Sequence, residues 1–204
     1  MVYPSAGVGN IIIGGKWSNV PGVRLRAAHS SPVGAIRIYR ITQNPPDKPM
    51  GYANGTGGLF KYELKADAGG VPGAILAGGV YIADPEYPEW LNRGGFPLIG
   101  FPTFPVLSKG SLYHFTITNV DADPITNYSS INFLECQPGK TNPDPNHVVE
   151  LSAQGVPWRL ETQRIASPFG VFYADGNKQG NGGYQLSADK LSTLAGDAYG
   201  FGGL

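Results

Sequence analysis

The sequence predicts an all-β protein, an antiparallel jelly-roll-like β-sandwich with at most one or two short helices. Three observations carry this. Apolar and polar residues alternate along Phe60-Lys61-Tyr62-Glu63-Leu64-Lys65-Ala66-Asp67 and again along Leu112 to Thr118, which is the period of a strand with one buried face. Glycine and proline cluster between such runs, as in Gly69-Gly70-Val71-Pro72-Gly73, where turns are expected. Finally, 30 Gly and 18 Pro among 204 residues interrupt helix interiors too often for a helical chain.

Residues 1–22 read as an N-terminal extension or first strand. They are glycine-rich around the β-branched island Ile11-Ile12-Ile13, too short for a helix. Residues 23–204 read as a single sandwich domain with a long C-terminal part. Val23 to Ala27 and Ala35 to Ile41 alternate as strands, with Arg on the wet face and a turn at Ser30-Ser31-Pro32-Val33-Gly34. Asn44 to Pro49 and Asp84 to Trp90 are proline loops. Gly94 to Pro105 holds three prolines and is expected to be extended with little ladder pairing. The segment reads as an oligomer contact or as a strand crossover; exposed together, Phe96, Leu98, Ile99, Phe101 and Phe104 would form a sticky patch, which monomers avoid. Tyr128 to Leu134, Val148 to Leu151, Trp158 to Ile165 and Phe169 to Tyr173 complete the strands. Leu186 to Ala198 is the one candidate helix, and the glycine-rich tail after it has no period.

Fifteen basic and fifteen acidic residues cancel. A nucleic-acid binder needs a basic face, and so does a protein docked electrostatically on a membrane; neither partner is expected. No apolar run is long enough to span a bilayer. Cys136 is the only cysteine, so no intrachain disulfide forms, and a buried thiol is expected. Met1 to Ser5 lacks the basic end and apolar core of a signal peptide, as suits a virion component assembled in the cytoplasm.

Catalytic signatures are missing: no Gly-x-Ser-x-Gly elbow and no phosphate loop. Glu63 and Lys65 read as a solvated face. His114 reads as a sheet-face residue with one hydrogen bond. His29, His114 and His147 lack zinc-ligand spacing. Asp121 and Asp123 bring two carboxylates to one turn and are the candidate site for a structural Ca²⁺, though Asp is equally an ordinary turn former. No other cofactor is expected. Sugar rings stack their C–H faces on rigid aromatics and give their hydroxyls to polar side chains. Tyr87 and Trp90, with Asp84 and Glu86 in the same loop, and Tyr128 beside Asn127, are the candidate binding residues. Trp17 and Trp158 are expected to pack at a core or an edge.

The motifs Asp67-Ala68-Gly69-Gly70-Val71-Pro72-Gly73, Leu76-Ala77 and Leu107-Ser108-Lys109-Gly110-Ser111-Leu112-Tyr113, with Gly34-Ala35-Ile36-Arg37-Ile38-Tyr39 upstream, make residues 23–134 resemble jelly-roll modules of secreted and phage or virion surface proteins. The resemblance implies a non-catalytic role, often carbohydrate binding or adhesion. The expected function is therefore a non-enzymatic module that binds surface polysaccharide, displayed on a phage-like particle or a secreted assembly. It would be virion-borne or extracellular, homo-oligomeric, and in contact with virion or fibre proteins. A structural decoration or adaptor subunit is the alternative from another class, and a polysaccharide lyase or hydrolase is the enzymatic one.

Overall fold

The computed structural model describes residues 5–41, 44, 51–82, 94–95, 97–136, 138–142, 144–153, 156–165 and 169–180. The proline loop at 84–90 and the candidate helix at 186–198 lie outside them. Among the described residues the strands are β1 (Ser5–Ile13), β2 (Val20–Arg26), β3 (Ser31–Ile38), β4 (Arg40–Ile41), β5 (Phe60–Asp67), β6 (Pro72–Ile82), β7 (Gly94–Gly95), β8 (Leu98–Gly100), β9 (Val106–Leu107), β10 (Leu112–Asn119), β11 (Ser129–Cys136), β12 (His147–Ala153), β13 (Val156–Ile165), β14 (Phe169–Tyr173) and β15 (Lys178–Gly180). A single 3₁₀ turn, Gly15–Trp17, is the one helical element described. Every described strand pairing is antiparallel, and the sheets curl over one another into an all-β, sandwich-like fold.

The centre is the ladder β5–β10–β2–β12. Phe115 pairs with Leu64 on one side and Val23 on the other, and Val23 with Val149. Residues directly opposite share a face, so these four make one apolar row, and none is more than 1% exposed. Each such side chain contributes roughly 1.5–3 kcal/mol through burial. The second layer is β15–β14–β3–β8. Its Ile36, Ile99, Phe169 and Val171 belong to the same core, and Phe169 meets Phe115 at 6.2 Å between ring centroids. β6 belongs to both layers: residues 72–79 pair with β5, and 80–82 with β8. Gly79 sits at that crossing, where a Cβ would stand 2.0 Å from Ile99 Cγ2.

Three expectations about elements change. Residues 5–13 form a strand along most of β11, much longer than the apolar island alone. The turn expected at Ser30–Gly34 is mostly strand; Pro32 is accommodated because Val33 N, not Pro32, donates to Pro105 O at 2.9 Å. The Gly94–Pro105 segment does pair: β8 lies between β3 and β6, with Ile99 and Phe101 in the core. Of the apolar patch imagined there, only Phe104 among the described residues is well exposed, at 60%.

Candidate functional site

The β1–β2 connection, Gly14-Gly15-Lys16-Trp17-Ser18-Asn19, is a tight turn. Gly14 and Asn19 close it with paired backbone hydrogen bonds of 2.8 and 3.1 Å. Gly14 takes φ +87, and a Cβ there would meet Pro124 O at 2.9 Å, so only glycine fits the turn's close approach to the 121–127 loop. Held this way, the Trp17 indole projects outward and is 52% exposed, with the Lys16 ammonium 4.9 Å from its ring centroid. Core or edge packing of Trp17 is therefore corrected: the turn is too short to fold the indole back.

Trp17 borders an open cleft of about 590 Å³ formed by β1, this turn and the β12–β13 hairpin. Asn10, Asn19, Arg159 and Arg164 supply polar groups to its lining; Ile12 and Val156 supply apolar ones. An exposed aromatic plate beside amide and guanidinium donors matches a pyranose, which offers an apolar face and a hydroxyl rim.

A second constellation lies inside the sheet. Two polar rows flank the apolar one: on one side His114 lies between Lys65 and Arg24, and on the other Glu63, Thr116, Gly22 and Glu150 align. His114 Nδ1 is 2.9 Å from Glu150 Oε2, and its Nε2 is 2.9 Å from Asp67 Oδ1. His114 is 0% and Glu150 1% exposed. Two carboxylates on the two ring nitrogens call for an imidazolium, with both N–H groups donating. Burial alone would push its pKa down, but the hydrogen bonds and charges of Glu150 and then Asp67 outweigh it, so His114 stands above its ordinary value. Burial pushes the Glu150 carboxyl up against the pull of His114. The His114 contact holds Asp67 below the usual carboxylate range. Gly22 makes room for this: a Cβ there would lie 3.0 Å from Glu150 Oε1 and 2.7 Å from Phe115 O.

Two sequence expectations are corrected by this cluster. His114 makes two charge-assisted bonds rather than one bond on a sheet face. Glu63 is not on a solvated face: it is 5% exposed and paired with Lys61 and Lys65, each at 3.0 Å.

The sequence candidates are distributed as follows. Asp84, Glu86, Tyr87 and Trp90 lie outside the described residues. Asn127 and Tyr128 sit beside the Trp17 turn: Tyr128 Cδ1 is 3.9 Å from where a Gly15 Cβ would stand, and Asn127 Nδ2 donates to Asp121 Oδ1 at 2.8 Å. Asp121 Oδ1 also accepts from Asp123 N at 2.9 Å, and Asp123 Oδ1 from Thr126 N at 3.1 Å. Both carboxylates thus act as turn formers, and among the described residues no third acidic or histidine side chain joins them as a metal ligand. Arg159 and Arg164, the cleft's cations, carry no sequence motif. Trp158 is half-buried beside them.

Comparison with protein-family models, curated proteins and solved structures returned no match. What fold and site define is thus the class alone: an antiparallel, sandwich-like β-protein with an aromatic-edged surface cleft.

Proposed function

We propose that the chain is a non-enzymatic module that binds surface polysaccharide in the Trp17 cleft, and that a phage-like particle or secreted assembly displays it. The observation that carries this reading is the exposed indole at the rim of a cleft of about 590 Å³ lined with amides and guanidinium groups. An indole half in water forfeits hydrophobic stabilisation unless something covers it, and a sugar face is a fitting cover. A lyase or hydrolase reading would need carboxyl groups within reach of the sugar. Among the described residues no carboxylate lines the cleft, and Glu161 beside it is held by Arg159 and Arg164.

A glycan array followed by calorimetric titration against the hits tests the proposal. Trp17→Ala is expected to weaken binding roughly 30-fold, the effect of losing a hot-spot aromatic worth about 2 kcal/mol. Binding that survives Trp17→Ala unchanged, or no binding to any glycan, removes the reading.

The structural-subunit reading keeps one observation of its own. Ile75 and Val80 on β6 are 58% and 60% exposed, and an apolar strand in water suits a subunit contact. Sedimentation of the protein with and without Ile75→Lys and Val80→Lys separates the two: an oligomer that the double variant dissolves favours assembly.

A further inference from the structure

We infer that the saccharide taken by the Trp17 cleft is anionic, a polymer bearing carboxylate groups such as uronic acids. This rests on the saccharide reading of the cleft and adds the charge of its ligand.

The cleft's two guanidinium groups come from one irregular strand. In the β12–β13 ladder Glu150 pairs with Leu160, yet Val148 pairs with Ile165, so β13 bulges between Leu160 and Ile165. A regular strand would send residues 159 and 164 to opposite faces, since their spacing is odd. The bulge removes that alternation, and both arginines reach the same cleft. Glu161 lies between them: Arg159 Nε donates to Glu161 Oε1 at 2.8 Å, and Arg164 Nη1 is 3.4 Å from Oε2. Arg164 also stacks on Phe133, with its guanidinium carbon 4.5 Å from the ring centroid. Such a pair is oriented before any ligand arrives, which lowers the entropic cost of binding.

The charge count decides the ligand. Arg159 and Arg164 bring two positive charges to the cleft lining, while Glu161 returns one negative charge. Among the described residues, no carboxylate lines the cleft itself. A chain with zero formal net charge thus concentrates positive charge at one exposed aromatic. Arg159 spends only its Nε on Glu161, so its two Nη groups have no partner among the described residues. They present the planar fork that grips a carboxylate through two parallel hydrogen bonds. The Asn19 side-chain amide borders the same cleft and suits a hydroxyl.

The test is calorimetric titration with sodium polygalacturonate, the same polymer after carboxyl reduction, and dextran, each at low and high salt, with single-stranded DNA as a further arm. The acidic polymer is expected to bind, with an affinity that falls as salt rises. Its reduced form is expected to bind at least about ten-fold more weakly. Arg159→Gln alters a side chain that is 55% exposed, so its fold is expected to survive, as a melting curve would verify. It should lower affinity for the acidic polymer about ten- to hundred-fold, and affinity for the neutral polymers by a clearly smaller factor, because only the acidic polymer loses a charge-assisted contact. Equal affinity for native and reduced polymers overturns the anionic assignment and leaves the saccharide reading standing. Failure of every polymer overturns the anionic assignment, and the saccharide reading falls with it only when the glycan array is blank as well. Tighter binding of DNA than of polygalacturonate overturns the assignment in favour of a phosphate backbone.

Discussion

Replacing His114 by leucine removes the one positive group placed between Glu150 and Asp67. Glu150 is 1% exposed and would then sit in the sheet without its hydrogen-bonded counter-charge. Arg24 and Lys65 are the remaining cations that bear on it, and Glu63 and Asp67 the remaining anions around the cluster. Breaking a buried pair from one side costs roughly 3–5 kcal/mol. A domain of this size loses about 2–4 °C of melting temperature per kcal/mol, so a fall of roughly 6–20 °C is expected at neutral pH. The pH dependence follows from the direction of each shift. His114 has a raised folded pKa, so its contribution is complete below the ordinary imidazole value and is lost as pH rises through the folded one. Glu150, also raised, acts with the same sign from the ordinary carboxylate range upward. Asp67, lowered, acts oppositely, and its contribution is lost only as pH falls through its depressed value. Wild-type stability should therefore decline on the alkaline side, by at most about 1.4 kcal/mol per pH unit for each such proton. The His114→Leu deficit should shrink in mild acid, where Glu150 can hold a proton. His114→Leu with Glu150→Leu should recover much of the loss, since no unpaired charge remains. Urea midpoints measured between about pH 5 and about pH 9 give all three results. If His114→Leu matches wild type at neutral pH, or the double variant is no better than the single one, the imidazolium account fails.

Gly79→Ala places a methyl group 2.0 Å from Ile99 Cγ2 in a side chain that is 0% exposed. Overpacking of this kind costs roughly 1–3 kcal/mol, readable as a lower urea midpoint with the slope unchanged. Gln179 accepts from Ala28 N at 2.7 Å and from the Tyr173 hydroxyl at 2.6 Å, and donates to Arg26 O at 2.6 Å. Gln179→Leu, close in size, orphans these groups and is expected to cost about 1–3 kcal/mol, with faster amide exchange at Ala28 as its local signature. Cys136 is 8% exposed and burial pushes its thiol up, so it should react with a disulfide reagent far more slowly in native than in urea-unfolded protein.

The strand pattern was legible wherever one face is apolar and the other wet. β5 and β10 fall where alternation puts them, because Tyr62, Leu64, Phe115 and Ile117 enter the core, and β14 falls on the compact run Phe169 to Tyr173. The same rule misled at Glu63 and His114. Alternation assigns polar residues to solvent, but here the second face of the sheet is buried too, and the charges survive by pairing across strands rather than by hydration. That pairing joins residues 36 and 47 positions apart, a separation that local patterning does not register. The cleft was hidden for a similar reason. Trp17 looked like packing material because its exposure depends on Gly14 pressing against the 121–127 loop. Arg159 and Arg164 share a cleft only because of a bulge. The glycine cluster after Asp67 is legible as a turn because Gly69 and Gly70 take positive φ, whereas the contact of Asp67 with His114 is not.

Asp67 answers two demands with one oxygen: its Oδ1 accepts from Gly70 N at 2.9 Å, closing the hairpin turn, and from His114 Nε2 at 2.9 Å. The two demands admit different replacements. Asparagine would satisfy the turn, since its carbonyl can take the Gly70 amide, but it brings no negative charge to the imidazolium. Glutamate would bring the charge on a longer arm that no longer closes the turn. A position under two such constraints has a narrower set of tolerated residues than either alone, so sequence drift in the hairpin is limited by a histidine on the neighbouring strand. In relatives of this protein, Asn at position 67 should come together with a neutral residue at 114, and Asp with His.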